Sequence, residues 1–195
     1  MKELLKNYKN KLNNSSATKN IPEPQNDGLC NHLEGMDIPD ISLLTINGDY
    51  LKLRRKESFR LILYFYPMTG RPDKPLPDNW NEIPGARGCT LENCSFRDHY
   101  EDLIKLNALP IGITSQSIED IKEMIQRLNI TYDILSDYKL SLVYSLKLPT
   151  FSIEKKTYIK RLTLIVNNSK ITKVFYPIFP PDKHIFEVLN WLKNN

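Results

Sequence analysis

The chain has 195 residues, 41% of them hydrophobic, and a net charge of +4 from 27 basic and 23 acidic side chains. That is enough apolar material for one domain with a packed core, and it excludes wholesale disorder. No Lys/Arg block is dense enough for a nucleic-acid surface, and no run of ~18 apolar residues offers a membrane span.

The start, Met1-Lys2-Glu3-Leu4-Leu5-Lys6-Asn7-Tyr8, lacks the apolar stretch of a secretory signal. Residues 1–27 are rich in Asn and Lys and contain Pro22 and Pro24. Little there offsets the entropy of ordering, so a flexible tail is expected, with at most a short helix over residues 2–12. The domain is expected over residues 28–195.

Ile41–Ile46 and Tyr50–Leu53 flank Asn47-Gly48 and predict a hairpin, because both turn residues tolerate positive φ. Leu61-Ile62-Leu63-Tyr64-Phe65-Tyr66-Pro67 is apolar on both faces, as in a central strand that Pro67 ends. Residues 68–88, rich in Pro and Gly with Trp80 in the middle, read as an irregular insert of functional character.

From Cys89 the pattern turns helical, with Phe96, Tyr100, Leu103 and Ile104 on one face. Leu109–Ile113 predicts a strand. Ser117 and Asp120 form a capping box before a helix that carries Ile118, Ile121, Ile125 and Leu128 inward. Tyr132–Leu135 predicts another strand and residues 139–146 a short helical piece. Arg161–Val166 and Ile171–Tyr176 predict a hairpin across Asn167-Asn168-Ser169-Lys170. Pro181-Asp182 opens a last helix with Ile185, Val188, Leu189 and Leu192 inward. The order predicts an α/β domain, a central mixed β-sheet flanked by helices on both faces.

Three cysteines are too few for a disulfide scaffold, and a close pair in a reducing compartment more often cycles or binds metal. A cytoplasmic location follows as the default. Cys89 and Cys94 sit where the insert gives way to the helix. A thiol reacts as thiolate, and the free N–H groups and dipole of a helix start favour negative charge. In an ideal helix, residues five apart have Cα atoms ~8–9 Å apart and point ~140° away from each other. A disulfide needs ~7 Å or less, so the pair can bond only after local unwinding. That suits a two-step cycle, with a sulfenic acid at Cys89 and then condensation with Cys94.

The runs Leu61–Pro67 (LILYFYP), Gly88–Asp98 (GCTLENCSFRD) and Arg161–Val166 (RLTLIV), in that order, resemble the peroxiredoxins. The match is best to the Q-type branch, the bacterioferritin-comigratory-protein-like members, over roughly residues 28–195. The resemblance implies a thioredoxin-like fold and a thiol peroxidase without metal or organic cofactor. It implies Cys89 as peroxidatic cysteine, Cys94 as resolving cysteine and Arg161 as the guanidinium beside the thiolate. The implied substrate is hydrogen peroxide or an alkyl hydroperoxide. The implied reductant is thioredoxin or a similar dithiol, and the implied assembly is a monomer or homodimer. The chain departs from the family's Pro-x-x-x-Thr/Ser-x-x-Cys run: the insert 68–88 separates Pro67 from Cys89, and Ala86 stands where the hydroxyl belongs. Pro67, Thr69, Thr90 and Glu92 are the candidates for the substrate pocket, Thr69 or Thr90 supplying the missing hydroxyl.

Plainer readings stand beside these. Cys89 and Cys94 can be packed, inert thiols, and Cys30 a spectator, a partly buried thiol or an alternative resolving partner. A zinc site would need more ligands than the chain groups together, and His99 reads as a helix contact. Arg161 can be a strand-end charge, Glu92 a first-turn stabiliser, and Arg87 and Arg97 surface residues. Leu148-Pro149-Thr150-Phe151 imitates the Pro-Thr step of thioredoxins, but Arg161 is better placed. Tyr66 and Trp80 line a pocket or pack the insert. Two other functions remain open, a thioredoxin-like disulfide reductase, which Cys-x4-Cys spacing disfavours, and a non-catalytic redox sensor.

Overall fold

Leu61, Leu63 and Phe65 alternate with Ile62, Tyr64 and Tyr66, and all are buried. Alternate residues point to opposite faces of a strand, so this one must lie in a sheet covered on both sides. In the computed structural model, which describes residues 21–54 and 58–195, the strands are β1 (Ser42–Leu44), β2 (Tyr50–Lys52), β3 (Arg60–Phe65), β4 (Ala108–Thr114), β5 (Ile134–Ser136), β6 (Thr150–Ile153), β7 (Lys156–Ile159), β8 (Leu162–Asn167) and β9 (Lys170–Phe175). The helices are α1 (Cys89–Asp98), α2 (Tyr100–Lys105), α3 (Ile118–Leu128), α4 (Ser141–Leu146) and α5 (His184–Asn194).

A 7-stranded sheet runs in the order β2-β1-β5-β4-β3-β8-β9, with β6 and β7 as a separate pair. The β3–β4 and β4–β5 pairings are parallel, and β8 runs antiparallel to β3. On one face, Ile62, Tyr64 and Ile165 pack with Phe96, Leu103, Ile121, Met124, Ile185 and Val188, that is, with α1, α2, α3 and α5. On the other, Leu61, Leu63, Phe65 and Leu164 pack with Leu142, Val143 and Leu146 of α4 and with Leu33 and Ile38. This is the mixed sheet with helices on both faces that the pattern predicts. No helix among the described residues is long and apolar enough to cross a membrane.

The predicted hairpins form. Gly48 adopts φ 92° in the β1–β2 turn, and Asn168 and Ser169 adopt φ 49° and 67° in the β8–β9 turn. The Ser117 side chain accepts from Asp120 N at 3.2 Å and donates to the Asp120 carboxylate at 3.2 Å, capping α3.

Three features differ from the sequence reading. The helix from Cys89 is broken at His99 (φ −111°), and Ile104 is 43% exposed instead of lying on the inward face. The His99 ring binds Ser95 O at 2.9 Å and meets the Phe186 ring edge-on, which holds the kink. Second, the stretch before Arg161 forms the β6–β7 hairpin, turned by Glu154 (φ 49°) and Lys155 (φ 62°), and Thr150 opens a strand there. Third, the insert has a core of its own. Trp80 is 2% exposed in a single 310 turn (Trp80–Glu82) and packs against Phe151 and Tyr158 of that hairpin.

Of the expected tail, residues 1–20, including the helix over 2–12, lie outside the described residues. The rest touches the domain: the Asp27 carboxylate accepts from Lys160 Nζ at 2.8 Å and Tyr176 Oη at 2.9 Å.

Candidate active site

Two ends of secondary structure meet at the site. β3 pairs with β8 so that Phe65 faces Leu162, which sets Arg161 beside the chain leaving β3 through Tyr66 and Pro67. Above it, α1 starts at Cys89. Gly88 makes this start, with φ 98°; a Cβ there would fall 2.5 Å from Pro181 Cγ. Both the left-handed backbone and the close approach exclude a side chain.

Cys89 is 2% exposed. Its thiol donates to Ala86 O at 3.5 Å, and Arg161 Nη2 approaches the sulfur at 3.1 Å. The same nitrogen reaches Gly85 O at 3.2 Å and Arg87 O at 3.0 Å, so the end of the insert helps to aim the guanidinium. Arg161 Nη1 donates to the Glu92 carboxylate, and both side chains are buried. Burial pushes the Glu92 carboxyl up, against the opposing pull of Arg161 and His184. Burial also works against the Arg161 charge, but Cys89 and Glu92 outweigh it and hold its pKa above the ordinary value. The guanidinium is therefore a fixed cation with one face on a carboxylate and one on a sulfur.

Tyr66 Oη, Glu92 Oε1 and Arg161 Nε are buried without a hydrogen-bond partner in the protein. Unpaired buried polar atoms are costly, so the surrounding fold must offset the cost of holding them there.

Cys94 lies in the same helix, half-buried, and all three cysteines are free thiols. Burial pushes the Cys94 thiol up, partly offset by Arg97. Cys30 belongs to the core on the opposite face of the sheet from Cys89, and burial pushes its thiol up to about 12.

The structure thus brings Cys89, Glu92 and Arg161 together, with Thr90 half-buried in the first turn of α1. Thr69 goes elsewhere. Its hydroxyl donates to Gln116 Oε1 at 3.2 Å, its N–H donates to the same oxygen, and Gln116 Nε2 returns a bond to its carbonyl. Pro67 is buried, its carbonyl accepting from Thr114 Oγ1 at 3.1 Å. Sequence reasoning missed Gln116, which nothing in the local pattern marks. It also missed a buried network of Tyr64, Asn93 and Tyr132 against α1, whose only signal is a set of polar-tipped residues inside apolar runs. Among the described residues, no group of three or more His, Cys, Asp or Glu side chains is placed to hold a metal ion.

Residues 83–174 match the model of the AhpC/TSA family. The chain is 28% identical over 164 residues to peroxiredoxin Q, chloroplastic, of Arabidopsis thaliana, covering 82% of this chain and 67% of the relative. It is 27% identical over 164 residues to peroxiredoxin Bcp of Bacillus subtilis, covering 82% of this chain and 94% of the relative. Among solved structures, peroxidoxin BcpB from Mycobacterium tuberculosis superposes with a TM-score of 0.68 at 23% identity, over 84% of this chain and 98% of that one. That likeness gives the fold, which is thioredoxin-like.

Proposed function

We propose, for a chain that belongs to the AhpC/TSA family and is a peroxiredoxin, a catalytic cycle run by Cys89, Cys94 and Arg161 within residues 28–195. Thiol-dependent peroxidase activity is the property of the family; the cycle and its residues are our assignment. The observation that carries it is the 3.1 Å approach of Arg161 Nη2 to Cys89 Sγ.

The Cys89 thiolate attacks the terminal oxygen of a peroxide, ROOH. The O–O bond breaks, sulfur is oxidised by two electrons to the sulfenic acid, and RO⁻ leaves to take up a proton as ROH. Arg161 stabilises the charge that moves from sulfur to oxygen, in a site where water does not compete. Glu92 holds the guanidinium in place. With Ala86 in the hydroxyl position and Thr69 bound to Gln116, we assign the unpaired Tyr66 hydroxyl as the second donor to the peroxide. Pro67, next to Tyr66, and Thr90, next to Cys89, complete the proposed pocket wall.

Cys94 then attacks the Cys89 sulfur. An S–S bond forms, the S–O bond breaks, and water leaves. The start of α1 must open for this, since the two residues are five apart in one helix. A dithiol such as thioredoxin returns two electrons and two protons. The substrate is hydrogen peroxide or a small alkyl hydroperoxide, and the compartment is a reducing one, the cytoplasm first. Every group in the cycle comes from one chain, so a monomer suffices and a homodimer adds nothing to the chemistry.

The test is peroxide consumption with dithiothreitol, and then with thioredoxin, its reductase and NADPH. Turnover in the parent and none in Cys89→Ser is expected. Consumption by Cys89→Ser at the parent rate overturns the assignment.

A further inference from the structure

Between the two cysteines of α1 lies a buried hydrogen-bond network that the cycle above does not use. Asn93 is fully buried and bonds through three of its atoms. Its Nδ2 donates to Cys89 O at 2.8 Å. Its Oδ1 accepts from Tyr64 Oη at 2.7 Å, reaching into β3. Its backbone carbonyl accepts from Tyr132 Oη at 3.0 Å, from the chain entering β5. The two tyrosine oxygens are themselves 2.9 Å apart. Two hydroxyl protons serve three contacts: Tyr64 donates to Oδ1, and Tyr132 divides its proton between Tyr64 and the Asn93 carbonyl. Gly112 makes room, because a Cβ there would fall 2.7 Å from Tyr64 Oη.

We infer that Asn93, held by Tyr64 and Tyr132, is a positioning residue for the resolving step: it latches the first turn of α1 and sets how long the Cys89 sulfenic acid waits for Cys94. Unwinding from Cys89 to Cys94 must break the Asn93 bonds together. Water does not reach the buried partners until the segment has opened, so the latch resists the first movement most. A long wait leaves the sulfenic acid open to a second peroxide, which carries it to the sulfinic acid. The latch therefore exchanges fast resolution for a longer-lived sulfenic form.

This inference rests on the cycle proposed above, and its test separates the two. Tyr132→Phe removes one hydroxyl and keeps the ring stacked on Tyr100; Asn93→Ala removes the centre of the network. Ile171→Val, in the core of the opposite face, matches a loss of global stability without touching the latch. In the reduced protein, amide exchange of residues 89–94 is expected to rise about tenfold in Tyr132→Phe and Asn93→Ala and to stay unchanged in Ile171→Val. After one equivalent of hydrogen peroxide, dimedone trapping is expected to show a sulfenic lifetime shortened by about the same factor, with less sulfinic acid at excess peroxide. Equal exchange and equal lifetimes in parent and latch variants overturn the inference, as does equal acceleration by Ile171→Val. Faster exchange with no sulfenic acid in any protein leaves the latch standing and sinks the cycle instead.

Discussion

Arg161 Nη2 stands 3.1 Å from Cys89 Sγ across a separation of 72 positions in the chain. A strand end carries the one and a helix start the other, and the register of β3 with β8 fixes their distance. If this contact drives the chemistry, a cation without the fork is not enough. Arg161→Lys is expected to lower the second-order rate with hydrogen peroxide about 100- to 1,000-fold, read from single-turnover kinetics. A rate within threefold of the parent would place the catalytic charge elsewhere.

The same guanidinium neutralises a buried carboxylate. Arg161→Met leaves Glu92 unpaired and is expected to cost about 3–5 kcal/mol of stability in urea unfolding. Adding Glu92→Gln removes the unpaired charge and is expected to recover most of that loss and none of the activity. Recovery of both would make the pair a structural device only.

Gly88 is fixed twice, by φ 98° and by Pro181. Gly88→Ala is expected to cost about 2–4 kcal/mol and to displace Cys89 from Arg161. Gly48→Ala, where nothing lies within 4 Å of the added Cβ, carries only the backbone strain of about 1–2 kcal/mol. Thermal unfolding of both, with peroxide kinetics, checks the contrast.

Trp80 joins the insert to the β6–β7 hairpin, and the insert's end supplies the carbonyls of Gly85 and Arg87 to Arg161. Trp80→Ala is expected to remove about 3–5 kcal/mol of local stability, read as faster amide exchange over residues 68–88. The peroxide rate is expected to fall with it, since the guanidinium loses its aim.

Cys30 contributes to the alkaline limb of stability, beside Cys94 and the buried tyrosines whose pKa values burial also raises. Its folded thiol is pushed up to about 12, against 9.0 in a free chain. As pH rises through about 9 the unfolded thiol loses its proton while the folded one keeps it, so this contribution is fully present well below pH 9 and falls as pH rises toward about 12. Urea midpoints at pH 8 and about pH 10.5 are expected to show about 2 kcal/mol more loss in the parent than in Cys30→Ala. Equal losses would mean that the thiol titrates normally.

Much of this was legible in the chain because it is written locally. Asn47-Gly48, the doubly apolar Leu61–Tyr66 run, the Ser117–Asp120 cap and the inward face of α5 each follow from neighbours a few residues apart. Motif and resemblance marked Cys89, Cys94 and Arg161 as candidates, and the structure places Arg161 against Cys89. What escaped depends on partners distant in sequence. His99 breaks a helix whose apolar spacing continues across it, because its ring competes for Ser95 O and packs on Phe186. Glu154 and Lys155 take left-handed conformations without glycine or asparagine, so the β6–β7 turn carries no signal. Thr69 has a hydroxyl near the right place in the chain, yet Gln116 takes it. The link of Asn93 to Tyr64 and Tyr132 exists only once α1 lies across β3 and the start of β5.

The most direct measurement is mass spectrometry of the parent and of Cys94→Ser after one equivalent of hydrogen peroxide, with dimedone present. A Cys89–Cys94 crosslink is expected in the parent and a trapped sulfenic acid at Cys89 in Cys94→Ser. Oxidation at Cys30 or Cys94 with Cys89 untouched, or a parent product without that crosslink, would contradict it.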